Sequence, residues 1–249
     1  MTYDDKVILI DLRTQKEYFK PNNKEFQTQF GKLTIEQLQS DDSHIETEKG
    51  YKYIKIKPQF IDKYNHKRRQ SQIMDIKDTG YIITRCGINK DSIVAESGCG
   101  SGGFSTIVAK ICKKIYSFDN REEHIDVVKE NMKILDIENI ELKLNDIYTD
   151  DINIEEQVDV FLLDLPEPQN AMVNAIKNTK KYGYIVCYCP NINQNQLLVN
   201  YLLENHNEEL KIEETMEVLN IKWVCKERSA RPFYKDTIHS GFMTFLRKL

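Results

Sequence analysis

Two hydrophobic rhythms divide the chain. In the first stretch, short apolar runs at residues 7–12, 30–33 and 51–56 are separated by turn-forming clusters: Pro21-Asn22-Asn23, Ser40-Asp41-Asp42 and Gly50. Along residues 51–56 apolar and basic positions alternate at period two, the mark of a strand with one buried face. This pattern predicts a small all-β module over residues 1–65. Further along, strands are predicted at 92–96, 115–119, 140–145, 158–164, 183–189, 211–219 and 241–248, and helices at 104–112, 122–135, 169–180 and 197–204. Strands separated by helices predict a mostly parallel sheet covered on both faces, an α/β domain over residues 66–249. No internal repeat or low-complexity segment interrupts it, and no Gly/Ser linker separates the two parts.

Composition narrows the class. Of the 249 residues 40% are hydrophobic, too many for a disordered chain and enough for a buried core. The 35 Lys+Arg against 39 Asp+Glu give a net charge of -4, which excludes nucleic-acid binding by indiscriminate surface charge. The charge is unevenly spread, however. Lys52, Lys55, Lys57, Lys63, Lys67, Arg68 and Arg69 share their stretch with a single acid, Asp62, and with Tyr53, Phe60 and Tyr64. A second basic-aromatic stretch holds Lys222, Lys226, Arg228, Arg231 and Lys235 with Trp223, Phe233 and Tyr234. Phosphate contacts combined with stacking suit recognition of RNA by shape. No apolar run approaches the ~20 residues that span a bilayer. The run at residues 7–10 is too short for a signal peptide, so a cytoplasmic location is expected. The six cysteines show no CxxC and no paired Cys/His spacing, and are expected to be reduced core residues rather than zinc ligands.

The strongest local signal is Ala95-Glu96-Ser97-Gly98-Cys99-Gly100-Ser101-Gly102-Gly103, between a predicted strand and a predicted helix. Glycines there let a backbone turn tightly against a ligand, and parallel sheets bind ligands beyond the carboxyl ends of their strands. Gly98, Gly100 and Gly103 satisfy the dinucleotide pattern GxGxxG. Glu96 argues against it, because a carboxylate repels a pyrophosphate but suits the cationic S-adenosylmethionine. Asp119 ends the next strand, about 20 residues on, where a carboxylate can take ribose hydroxyls. Asn145-Asp146 ends the third, where a carboxylate can accept from the adenine amino group. The fourth strand ends in Asp164-Leu165-Pro166-Glu167-Pro168, placing Asp164 beside the expected methyl donor.

In these motifs the chain resembles the tRNA (adenine-N1)-methyltransferases that modify the T-loop. Arg69-Gln70-Ser71-Gln72-Ile73 is similar to that family's Arg-Arg-Thr-Gln-Ile, and Glu96–Gly102 matches its E-x-G-x-G-x-G. Asp164–Pro168 resembles D-x-x-E-P, Tyr188–Gln194 resembles Y-x-P-x-I-x-Q, and His239-Ser240-Gly241-Phe242 is similar to the end of G-H-T-G-F. Gln70, Ile238 and Ser240 depart from the family pattern.

The resemblance implies a Rossmann-like class I S-adenosylmethionine-dependent methyltransferase, with a seven-stranded mostly parallel sheet and a small N-terminal β-domain. It implies a donor site built from Gln72, Glu96, Gly98, Gly100, Ser101, Gly102, Asp119, Asn120, Asp146 and Asp164. Asp164, Tyr188 and His239 are the implied catalytic residues, and Lys67, Arg68, Arg69 and Arg231 the RNA contacts. The product would be 1-methyladenosine at tRNA position 58, with 57 as a second target, made by a homotetramer. Adenine N1 has an in-plane lone pair, so Asp164 is expected to orient the ring and stabilise its developing positive charge. The rival readings are a methyltransferase of a small molecule such as a corrinoid precursor, a protein isoaspartyl methyltransferase, and a non-catalytic RNA-binding subunit of the same fold.

Overall fold

The computed structural model describes residues 5–233 and 239–249, so Tyr234, Lys235 and Ile238 lie outside the described residues. The chain divides into two compact units, residues 1–67 with 133–136, and residues 68–132 with 137–249.

The first unit holds β1 (Lys6–Asp11), β2 (Glu17–Pro21), β3 (Phe26–Thr28), β4 (Gly31–Leu33), α1 (Ile35–Gln39), β5 (His44–Glu46), β6 (Lys52–Ile56) and α2 (Phe60–Asn65). β2, β1, β6 and β5 form an antiparallel sheet in that order, and β3 pairs with β4. Its core is Val7, Leu9, Phe26, Leu33, Leu38, Ile45 and Tyr53. The module is not all-β as predicted. Thr34 and Gln37 form a capping box that starts α1, a signature that satisfies orphan N–H groups without any hydrophobic period.

The period-two pattern of β6 has an unforeseen consequence. Lys55 shares the buried face with Tyr53, and its Nζ donates to the carbonyls of Gln37 (2.8 Å) and Ser40 (2.5 Å) at the end of α1. It is a cap for the last carbonyls of a helix, not part of a basic surface.

The second unit keeps the predicted alternation and adds one helix before it, α3, and one hairpin, β13 with β14, that the pattern did not predict: α3 (Ile76–Arg85), β7 (Ile93–Ser97), α4 (Gly103–Val108), β8 (Lys114–Asp119), α5 (Glu122–Leu135), β9 (Ile140–Leu144), β10 (Val158–Leu163), α6 (Met172–Asn178), β11 (Thr179–Cys189), α7 (Ile192–Asn205), β12 (Leu210–Met216), β13 (Trp223–Lys226), β14 (Ser229–Pro232) and β15 (Phe242–Lys248). Seven strands build one sheet in the order β12-β15-β11-β10-β7-β8-β9. The five from β11 to β9 are parallel, and β15 runs antiparallel between β11 and β12. The chain winds outward from β7 through β8 to β9, then crosses back to β10. The switch point therefore lies between β7 and β10, where such sheets open a crevice.

Pleating sorts the side chains of the central strands. Ala95, Tyr116, Phe118, Phe161, Leu163, Ile185 and Cys187 share one core cluster, while Glu96 and Ser117 stand at the alternate positions. Each fully buried aromatic contributes about 1.5–3 kcal/mol, so the sheet is held by its own core and leaves its carboxyl edge free for chemistry.

Several elements differ from prediction in extent: α4 stops at Val108 and β12 at Met216, both short of the predicted ends. β11 begins at Thr179, whose hydroxyl caps Ala175 O at 2.7 Å, so the preceding helix is shorter than expected. α7 begins five residues earlier than predicted, because Asn191 accepts from Gln194 N at 3.0 Å as its N-cap.

Candidate active site

The turn after β7 is fixed by its neighbours. Gly98, Gly100 and Gly102 have φ of 87°, 53° and 72°, the left-handed region that glycine enters without steric cost. A Cβ on Gly98 would lie 2.1 Å from the Asp164 carbonyl oxygen, so only glycine lets β7 and β10 close at this level. The N–H groups of Gly98 and Cys99 donate to Phe118 O at 2.9 and 3.1 Å, and Gly100 N–H donates to Asp119 Oδ2 at 3.0 Å.

A cavity of about 540 Å³ opens at this switch point. Gln72, Gly98, Gly100, Asp119, Asn120, Asp146 and Asp164, seven of the residues implied to hold the donor, line it. Ser71, Ser97, Arg121, Asn145, Tyr148 and Leu165 are among the walls that motif reasoning did not assign.

The cavity is rich in carboxylates. Asp119 is almost fully buried and immobilised: its Oδ1 accepts from Arg121 N (3.1 Å) and Nε (3.3 Å), and its Oδ2 lies 3.0 Å from His124 Nδ1. Asp146 Oδ1 accepts from Tyr148 N at 3.1 Å. Asp164 has no side-chain hydrogen bond among the described residues, and burial, with the nearby Asp119 charge adding, pushes its carboxyl up to about 7. Asn145 Oδ1 is buried without a hydrogen-bond partner among the described residues.

Those observations test which ligand fits. An orphaned amide oxygen asks for a donor such as an adenine amino group. An ionised Asp164 asks for a cation, and Arg121, which also lines the cavity, already pairs with Asp119. S-adenosylmethionine carries an adenine amino group and two positive centres; a dinucleotide pyrophosphate would meet three carboxylates. The residues present fit the methyl donor.

Several expected site residues are placed elsewhere. Glu96 does not line the cavity. Pleating turns it under the turn, where Ser117 Oγ donates to its Oε1 at 2.5 Å. Burial pushes its carboxyl up to about 7, with Asp164 and Asp119 adding to the effect. Ser101 is also buried: its Oγ accepts from the N–H groups of Gln70 (2.9 Å) and Ser71 (3.1 Å), strapping residues 70–71 over the turn. Gly102 is the N-cap of α4 and does not line the cavity; a Cβ on it would lie 3.2 Å from Thr106 and Val128.

Tyr188 is buried, with its hydroxyl donating to Asp78 Oδ2 at 3.1 Å, and is absent from the cavity wall. His239 is exposed but committed at both nitrogens, Nε2 lying 2.8 Å from Pro190 O and Nδ1 2.5 Å from Glu217 Oε1. The Pro190 carbonyl, then Glu217, hold its proton on more tightly than usual. Both ring nitrogens of His239 are thus engaged with its neighbours, joining Glu217 to the Pro190 carbonyl. Asp78 and His124 were not singled out by sequence reasoning; neither carries a local motif, because their partners come from other elements.

Among the expected RNA contacts, Lys67 is corrected. It is buried, with Nζ 3.3 Å from the centre of the Tyr64 ring. Arg68 is exposed and pairs with Glu130 at 2.5 Å, while Arg69 and Arg231 are exposed.

Comparison with known proteins agrees with this geometry. A tRNA (adenine(57)-N(1)/adenine(58)-N(1))-methyltransferase TrmI from Methanocaldococcus jannaschii is 27% identical, over 96% of this chain and 94% of that protein. The crystal structure of tRNA (m1A58) methyltransferase TrmI from Aquifex aeolicus superposes with a TM-score of 0.82 at 20% identity, covering 100% of this chain and 98% of the other. A SAM-dependent O-methyltransferase from Thermotoga maritima has the same fold, with a TM-score of 0.83 at 24% identity over 100% of this chain and 94% of its own. The family model described as tRNA methyltransferase complex GCD14 subunit matches residues 54–233. With that match spanning most of its length, the chain belongs to the GCD14 family of tRNA methyltransferase subunits.

Proposed function

We propose that the protein transfers a methyl group from S-adenosylmethionine to N1 of an adenine in the tRNA T-loop, at position 58, with 57 as a second target. The observation that carries this is Asp164: a carboxyl at the end of β10, with no side-chain hydrogen bond among the described residues, at the lip of a cavity whose residues suit the donor. S-adenosylmethionine supplies an electrophilic methyl carbon on a sulfonium. Asn145 and Asp146 would hold the adenine end of the donor, and Asp119 its ribose, each from a strand terminus. Asp164 then has two tasks. It accepts from the exocyclic amino group of the target base, which turns N1 toward the methyl group. Its charge also stabilises the positive ring that forms. Adenine N1 carries no proton near neutral pH, so no base is required before attack.

The target lies on the Watson–Crick edge, so the base must leave its stack. The exposed Arg68, Arg69 and Arg231 supply phosphate contacts. A homotetrameric assembly, as the sequence resemblance implies, is part of the same proposal, and six free cysteines support a reducing, cytoplasmic setting. The decisive experiment incubates the protein with S-adenosylmethionine and an unmodified tRNA transcript, then digests it to nucleosides. 1-Methyladenosine that disappears when adenine 58 is replaced supports the proposal. Donor binding without 1-methyladenosine refutes it.

A further inference from the structure

A side-chain cluster outside the donor cavity gathers on Asp78. This residue, on α3, is fully buried, yet it is an ionisable group with three polar partners. Its Oδ2 accepts from Tyr188 OH (3.1 Å) and from Ser240 Oγ (2.6 Å), and its Oδ1 pairs with Lys77 Nζ at 2.7 Å. Lys77 Nζ also reaches Ser240 Oγ. The partners lie 110 and 162 positions along the chain, so one carboxylate ties α3 to the end of β11 and to the segment that enters β15.

The tie bears on the site. Leu163 pairs with Cys187 in the sheet, so Asp164 and Tyr188 stand at the same level on neighbouring strands. Gly241 is moulded to Tyr188: a Cβ there would lie 2.4 Å from the ring. His239, next to Ser240, bridges Glu217 and the Pro190 carbonyl. The walls beside Asp164, on the side away from the donor cavity, are therefore loops whose positions converge on one buried charge. A buried carboxylate is costly unless every partner is in place, so such a hub is either complete or broken and holds its loops to one arrangement.

We propose that Asp78 is a positioning residue for the acceptor side of the reaction, fixing Tyr188 and residues 239–241 beside Asp164 so that the target base is held in one geometry. This rests on the methyl transfer proposed above.

The test measures S-adenosylmethionine binding by calorimetry and single-turnover and steady-state methyl transfer to a tRNA transcript. The proteins are the wild type, Asp78→Ala, Asp78→Asn, Tyr188→Phe and the double variant Asp78→Ala/Tyr188→Phe. Donor Kd should stay within about twofold throughout, while kcat of Asp78→Ala falls on the order of 100-fold, as expected for a misplaced reactant. Asp78→Asn keeps an oxygen for both hydroxyls and should recover about tenfold of that loss. The double variant should be no slower than Asp78→Ala alone, because both changes break one unit. If Asp78→Ala does not fold, Asp78→Asn and Ser240→Ala carry the test, with about a tenfold fall in kcat expected and donor Kd unchanged.

Loss of donor binding in step with kcat would reduce Asp78 to general scaffolding and overturn the inference. So would multiplicative losses in the double variant, or Asp78→Ala turning over like the wild type. A wild type that binds donor and yields no 1-methyladenosine refutes the proposed function itself, and the inference falls with it.

Discussion

Replacing Asp164 by asparagine should make the protein more stable and inactive at once. The carboxyl is held up to about 7 from an ordinary 3.8. Its folded-state value is raised, so between those two values the folded chain binds more protons than the unfolded one. The Asp164 contribution to stability therefore falls as pH rises through that window and is worst above pH 7. At about 1.4 kcal/mol per tenfold change in acidity, the full span corresponds to roughly 4 kcal/mol. Asp164 faces an open cavity, and solvent screening brings the figure nearer ~2 kcal/mol. An asparagine carries no charge to desolvate. Urea unfolding at pH 4.5 and pH 8 should show the Asp164→Asn advantage growing by about 2 kcal/mol at the higher pH, with m unchanged. Methyl transfer should fall to background, while the stabilisation added by saturating S-adenosylmethionine should be smaller than in the wild type. An advantage that is the same at both pH values would refute the claim that this carboxyl is desolvated and waiting for a cation.

Other substitutions test the rest of the site. Gly98→Ala forces a side chain into a left-handed backbone at about 1–2 kcal/mol and into the Asp164 carbonyl. Donor affinity should fall more than about tenfold and Tm should drop, as measured by calorimetry and thermal unfolding. Asn145→Ala removes a buried oxygen that has no partner in the free protein. Its stability should be unchanged or slightly higher, while donor binding weakens about 5- to 30-fold, the value of one hydrogen bond made only in the complex. Arg69→Ala should weaken tRNA binding at every sequence tested and lower the slope of log affinity against log salt by about one. An unchanged slope would remove Arg69 from the phosphate contacts.

Much of this architecture could be read from local pattern, and the exceptions share a cause. The strands carrying Asp119, Asp146 and Asp164 were legible because buried parallel strands are continuous apolar runs, and each acid marks where its run stops. The glycine turn was legible because left-handed backbone needs glycine. Glu96 and Ser101 sit within that same motif, yet motif matching could not say which face of the pleat each would take. Lys55 and Lys67 looked like a basic surface. A lysine's long stem can instead carry its charge inward to helix carbonyls or an aromatic ring, and those partners lie outside the local pattern. Tyr188 and His239 were found by their motifs, without their partners. Their hydrogen bonds run to Asp78, Glu217 and Pro190, which tertiary packing alone brings near. Asp78 itself gave no sign of its importance.

The antiparallel β15 has a consequence for how the protein comes into being. This strand is not an edge. It is wedged between β11 and β12, which are otherwise unconnected in the sheet. Everything from α3 to α7 can assemble progressively as neighbouring segments meet, but β12 has no partner until residues 242–248 arrive. Because residues 239–241 lead directly into that strand, the loops tied to Asp78 take their shape only once it arrives. A nascent or truncated chain lacking β15 would present a finished donor turn with no place to put the base, and two sheet edges open to other chains.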